Sequence, residues 1–322
     1  MIRFRSLLPW LLAFACLASA PSAFAQSCTI TTADANFGNR SSIDVNTTAQ
    51  QTSTSNTASC PGGIFSFFNL GSEIRATPMS VNNFQMVGPG GKRINYSGAI
   101  VYNGSTYPLV QGQQVGVNFL NIFGIFTGGT GTFAMNYQTV PANLPAGVYT
   151  DTINVQWYSH ICTAGFIICI AYSDSISYTT IQVTLVVQND CTMNAPNLSF
   201  GTAPVASGFG PAIQTLQIRC TAGSTYTVGL SDGTNYSGGW RRMRQGASAN
   251  YLRYELYQTV ASGSRWGNTP AQRRSSATAN TNPTALDGVT FQGYTYRGVI
   301  DPTQITPPAG TYVDNIVVDV QF

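Results

Sequence analysis

One phrase occurs twice in this chain, and it constrains the fold more than any other feature. Pro145-Ala-Gly-Val-Tyr-Thr-Asp-Thr-Ile-Asn-Val-Gln-Trp157 and Pro308-Ala-Gly-Thr-Tyr-Val-Asp-Asn-Ile-Val-Val-Asp-Val320 begin 163 residues apart. Cys28 with Phe37-Gly38 recurs at the same spacing as Cys191 with Phe200-Gly201. Start and end landmarks agree, so the chain holds two copies of one structural unit. In each phrase apolar and polar residues alternate with period two, and Pro and Gly supply the launching turn, which reads as a β-strand. Turn pairs such as Asn103-Gly104, Asp232-Gly233 and Asp287-Gly288 punctuate both copies. No stretch carries a long 3.6-residue period, and Arg241 to Gln245 has room for one helical turn at most. The expected class is all-β, two immunoglobulin-like β-sandwiches in tandem.

Residues 1–25 read as a signal peptide rather than as fold. Arg3 and Arg5 begin it, Leu7 to Leu17 are largely apolar, and Ala23-Phe24-Ala25 is a small-x-small cleavage site. The expected units are 26–190 and 191–322. Charged residues are only 8% of the chain, against about 25% in ordinary globular proteins. Solvation must then come from Ser, Thr, Asn, Gln and Gly, which fits an extracellular β protein better than a cytosolic enzyme. The basic residues are too sparse for a nucleic-acid partner. Six cysteines follow the signal. The repeat pairs Cys28 with Cys60 and Cys191 with Cys220, leaving Cys162 for Cys169, in an oxidising compartment.

The copies differ at their ends. After Trp157 the first continues to 175–187, where Ile181, Val183, Leu185 and Val187 form one apolar face. The second has no counterpart. The strand expected over 311–322, with Tyr312, Asp314, Ile316, Val318, Val320 and Phe322, therefore borders an open groove. Such an edge is a template for a strand from another chain. If cleavage follows Ala25, two residues precede Cys28, too few to donate a strand in turn. The chain is then expected to accept a partner and to end a fibre.

The Cys-x8-Phe-Gly motif, the second cysteine about thirty residues on, and the terminal Pro-Ala-Gly-x-Tyr-x-Asp-x-Ile-x-Val-x-Val-x-Phe resemble the spore coat protein U domain family. That family includes the subunits of archaic chaperone–usher pili. Two such units behind a signal, the second open-ended, resemble the two-domain tip adhesins of Csu-type pili. The resemblance implies a periplasmic chaperone that holds the open unit at Tyr312 to Phe322, an outer-membrane usher, and a neighbouring pilin that donates the final strand. It also implies secretion through the periplasm to the cell surface.

Three apolar runs sit where loops are expected in the first unit. They are Ile122, Phe123, Ile125 and Phe126; Phe166, Ile167 and Ile168 with Ile170, in a loop stapled by Cys162 and Cys169; and Ile64 with Phe65. Exposed, they would form fingertips for hydrophobic abiotic or host surfaces and for biofilm formation; the bland alternative makes them core strands. Other constellations point to no enzyme, cofactor or metal. His160 is the only histidine and reads as a strand-end residue. Glu255, Asp287 and Asp301 are scattered carboxylates. Arg241, Arg242, Arg244, Arg253, Arg273 and Arg274 read as a solvated loop face. The functional expectation is a pilus-tip adhesin, with a structural fibre or coat subunit as the alternative.

Overall fold

The computed structural model describes residues 27–60, 72–102, 104–117, 130–165 and 169–322. The first repeat contains β1 (Thr29–Thr31), β2 (Ala35–Ser41), a short helix α1 (Ser42–Thr47), β3 (Gln51–Ser59), β4 (Glu73–Ser80), β5 (Gln85–Val87), β6 (Arg93–Tyr102), β7 (Ser105–Pro108), β8 (Val115–Val117), β9 (Thr130–Thr139), β10 (Gly147–Gly165) and β11 (Cys169–Gln188). The second contains β12 (Cys191–Asn194), β13 (Ala212–Cys220), β14 (Thr227–Leu230), β15 (Arg241–Arg244), β16 (Tyr251–Tyr257), β17 (Arg274–Ser275), β18 (Gln292–Ile300) and β19 (Val318–Gln321). Both repeats are immunoglobulin-like β-sandwiches. Arg241–Arg244 forms an edge strand, not a helical turn, because Arg242 and Met243 find ladder partners in Arg253 and Leu252.

In the first repeat one layer runs β1-β3-β9-β6, and the other contains β5, β10, β11 and β2, with β4 beside β10 and β8 beside β4. β6 joins the layers: its first residues pair with β5 and the rest with β9. The inward residues of both layers meet in one core that includes Phe37, Tyr137, Ile153, Val155 and Trp157. Alternation puts these side chains inside because successive strand residues face opposite sides. The second repeat packs a five-stranded sheet, β12-β13-β18-β16-β15, against a short one, β17-β14-β19. Its core holds Leu216, Ile218, Val228, Trp266 and Tyr294.

The recurring motif has a local physical basis. Gly38 and Gly201 both adopt the left-handed backbone, with φ of 75° and 74°, where a side chain is costly. Each follows a polar residue two positions back that caps its amide: Gly38 N–H donates to Asn36 Oδ1 at 2.7 Å and Gly201 N–H to Ser199 Oγ at 3.2 Å.

Three disulfides join Cys28 to Cys60, Cys162 to Cys169 and Cys191 to Cys220. The first and third tie the opening strand of a repeat to the next long strand. The repeats meet through short polar contacts. Ser42 and Thr221 share a hydroxyl–hydroxyl bond of 2.6 Å, and Asn143 Nδ2 donates to the Asp287 carbonyl at 2.6 Å.

The Cys28–Cys60 bridge closes a loop of sequence separation 32. Replacing both cysteines with serine is expected to cost about 3–4 kcal/mol in the chain-entropy account. Urea unfolding of the full chain, followed through the buried Trp157, reads that loss.

Candidate functional site: an open cleft in the second repeat

β11 fills a defined slot in the first repeat. It pairs antiparallel with β10, with Ile153 opposite Ile181 and Tyr149 opposite Leu185. On its other edge it runs parallel to β2, with Val183 opposite Ala35. Its inward residues Ile181, Val183 and Leu185 are fully buried. In the second repeat the positions equivalent to β2 and β10 are 198–204 and 310–321, and among the described residues no strand lies between them. A cleft of ≈ 470 Å³ opens there instead. Pro196, Leu198 and Phe200 line one wall, and Tyr312 to Ile316 with Val318 the other. Leu216, Tyr254 and Leu256 reach it from the sheet beneath. Leu198 and Phe200 rest against the bare Gly298, where a Cβ would come within 2.5 Å of Leu198.

The cleft changes the burial of equivalent side chains. Tyr149, Ile153 and Val155 have no exposed surface and Trp157 has 1%. Their counterparts Tyr312, Ile316, Val318 and Val320 are only partly buried. Phe37 is 1% exposed, while its counterpart Phe200 is half-buried. The period-two pattern predicts a strand throughout 311–322, and here the structure differs. Only Val318–Gln321 forms one, paired with β14. Tyr312, Asp314 and Ile316 lie outside any strand, and Phe322 follows the last one at 55% exposure. Periodicity reports which side chains alternate, but a ladder also needs neighbours. β10 pairs with β4, β5 and β11, whereas the backbone of 312–317 is held across strands by a single bridge, Val313 to Arg244, and by bonds between Val317 and Ser231.

Two polar devices hold the repeated phrase in both copies. Tyr149 and Tyr312 donate their hydroxyls to the carbonyls of Pro145 and Pro308, four residues upstream, at 2.9 and 2.7 Å. Burial pushes the Tyr149 phenol up to about 12, so it remains a donor. Asp151 accepts from Tyr96 at 2.7 Å and Asp314 accepts from Tyr254 at 2.8 Å. Burial, and then the neighbouring carboxylate, raise both phenols far above their ordinary range. Asp314 also takes the Thr234 amide at 2.9 Å. Sequence reasoning placed Asp314 on an edge and missed its acceptor role; the shared Tyr-x-Asp in both phrases is the signal for it. Below the cleft, the fully buried Arg241 pairs with Glu255 and donates to the carbonyls of Leu230 and Trp266. Arg273 ties β19 to β14 through Asp319 at 2.6 Å and the Thr227 carbonyl at 3.0 Å.

The remaining sequence candidates divide clearly. Ile64, Phe65, Ile122, Phe123, Ile125, Phe126, Phe166, Ile167 and Ile168 lie outside the described residues. Ile170 stands on β11 with 76% of its surface exposed. The carboxylates do not meet: Glu255 binds Arg241 and Arg265, Asp301 binds Arg253, and Asp287 accepts the amides of its own turn. The arginines form no common face, since Arg241 and Arg274 are buried. His160 lies well inside β10 rather than at its end, because the hairpin runs five residues further.

Comparison with known proteins agrees with this architecture. The Spore Coat Protein U domain model matches residues 13–156 and 177–319, and the chain belongs to that family. Protein U of Myxococcus xanthus is 31% identical over a segment covering 33% of this chain and 58% of that protein's length. The chain thus spans little more than half of that relative. Among solved structures, a chain of the CsuC–CsuE chaperone–tip adhesion subunit pre-assembly complex, from the archaic chaperone–usher Csu pili of Acinetobacter baumannii, is similar in fold. Its TM-score is 0.57 at 22% identity, covering 92% of this chain and 100% of that one.

Equivalent substitutions in the two repeats should differ in effect. Ile153→Ala is expected to cost about 2–5 kcal/mol, as for a fully enclosed aliphatic side chain. Ile316→Ala, at the cleft, should cost clearly less in the chain alone. Hydrogen exchange of β9 and β18 in the two variants separates the losses.

Proposed function

We propose that this protein is a pilus adhesin of an archaic chaperone–usher system, seated at the fibre tip and completed by a strand from a neighbouring pilin. The observation that carries this reading is the cleft between 195–200 and 312–318, in the position that β11 occupies in the first repeat. A groove floored by apolar side chains and walled by backbone that has no strand on its cleft side suits strand addition. The family match adds a second argument. Its second segment begins at residue 177, inside β11. The match to the second unit thus takes in residues at the end of β11, and those residues fill the slot of the first repeat. The same exchange carried out between chains would fill the second.

The proposed donor has the chemistry of β11: apolar residues at alternate positions, as in Ile181, Val183, Leu185 and Val187. It runs antiparallel to 312–320 and parallel to 198–204. A periplasmic chaperone covers the cleft before assembly, and an outer-membrane usher exports the subunit. The first repeat presents the apolar runs at 64–65, 122–126 and 166–170 to hydrophobic surfaces. A buried Phe or Ile contributes about 1.5–3 kcal/mol, so several together suffice for attachment after ordering costs. This attachment is the basis proposed for biofilm formation.

Two experiments test the reading. Appending residues 178–188 to Phe322 through a flexible linker should turn an aggregating chain into a monomer and slow exchange of the amides at 312–317. An unmodified chain that is already monomeric, with those amides protected, contradicts strand addition. Separately, polar replacement of Phe123, Phe126 and Phe166 should abolish attachment to plastic while fibres remain visible, with the protein immunolabelled at fibre ends. Labelling along the whole fibre would make it a structural subunit instead.

A further inference from the structure

The β10–β11 hairpin is longer than the sandwich requires. Residues 157–176, its outer half, fall between the two segments that match the family unit. The inward side chains Trp157, Ser159 and Ile161 are still buried, so this part of the sheet is seated. Its outer face carries an unusual set of groups. Tyr178, Ile176 and Tyr172 are 73%, 55% and 44% exposed. Tyr158 stands opposite Ile176, and His160 opposite Asp174. His160 Nδ1 lies 2.5 Å from Asp174 Oδ1, and its ring stacks on Tyr172 with centroids 4.2 Å apart and planes 15° from parallel. On the adjoining strand β4, Arg75 pairs with Glu73 at 2.5 Å and sits 5.9 Å from the Tyr158 ring.

Aromatic rings held on a sheet face, with charged groups and an imidazole beside them, select among occupants. A purely apolar partner would strand Asp174, Glu73 and Arg75 without water. A peptide strand would add at a backbone edge, here the β11 edge that β2 covers only from Val183 onward, and not across this outer face, where β10 is paired on both sides by β4 and β11. A pyranose satisfies both halves of the face, laying its C–H surface on a ring and its hydroxyls on the polar groups. Tyr172 and Tyr178 are separated by about 20 Å along the strand, the reach of several sugar units. Two carboxylates on the face disfavour an anionic polymer. His160, hydrogen-bonded to Asp174, holds that carboxyl below its ordinary range, which keeps it an acceptor.

We propose that the outer face of the β10–β11 hairpin binds an uncharged linear polysaccharide, with Tyr172, Tyr158 and Tyr178 as stacking platforms and Asp174 as acceptor for sugar hydroxyls. This site is separate from the cleft of the second repeat.

Affinity electrophoresis of the full chain through gels containing hydroxyethylcellulose, galactomannan, dextran or alginate tests it. Retardation by at least one of the three neutral polymers and not by alginate is expected. Tyr172→Ala and Tyr178→Ala should each weaken that retardation by about tenfold, whereas Tyr178→Phe, which keeps the ring, should retain it. Tyr178 is largely exposed, so thermal melts of its variants should match the parent and exclude misfolding. No retardation in any neutral polymer, stronger retardation in alginate, or unchanged retardation in the double tyrosine variant overturns the proposal.

Discussion

Every strand in a sandwich has two edges and one inward face, and an edge that borders the apolar interior must find a partner. Backbone N–H and C=O groups left beside an apolar interior are costly. That requirement governs this molecule. In the first repeat β11 satisfies it on three sides at once: β10 on one edge, β2 on the other, and the core beneath. In the second repeat the same requirement is unmet over 312–317. The cleft, the half-buried Phe200 and the shortening of the final strand all follow from one missing neighbour.

The repeated phrase itself is equally well built in both copies. The tyrosine that bonds back to its proline and the aspartate that accepts from a buried tyrosine occur in each. These bonds are local or cross a single sheet, so they form whether or not the slot beside them is filled. The segment at 312–316 is thereby held near the cleft wall with its inward side chains already aimed. A strand entering the cleft meets a partly ordered wall rather than a free tail, which lowers the ordering cost of association.

Much of this architecture was legible in the sequence. The repeated landmarks gave the two units and their strands, and the structure adds why they recur: Gly38 and Gly201 take a left-handed turn that few other residues tolerate, and the tyrosine of Pro-Ala-Gly-x-Tyr bonds back to its proline. Such local geometry repeats wherever the residues repeat. The strand status of 311–317 was not legible, since alternation is written in the chain but the neighbour is not. Arg241 looked like part of a solvated basic loop. Its place in the core depends on Glu255 and on the carbonyls of Leu230 and Trp266, which only the folded sheets bring together. His160 and Asp174 likewise meet through hairpin register, which no spacing rule reveals once a disulfide-stapled loop intervenes.

The hairpin and the junction between repeats also define a mechanical path. β10 and β11 lie side by side over nearly their whole lengths, so tension entering at the hairpin tip runs along the β11 backbone, which β10 braces throughout. From β11 the chain passes through Gln188, Asn189 and Asp190 directly into β12. There Asp190 is fastened to Ser41 and Thr221, and Asn189 to Ser224. Cys191 then transfers the pull to β13 through a covalent bond. Force entering at the far end of the first repeat therefore crosses into the second along the backbone, without a slack tether between them.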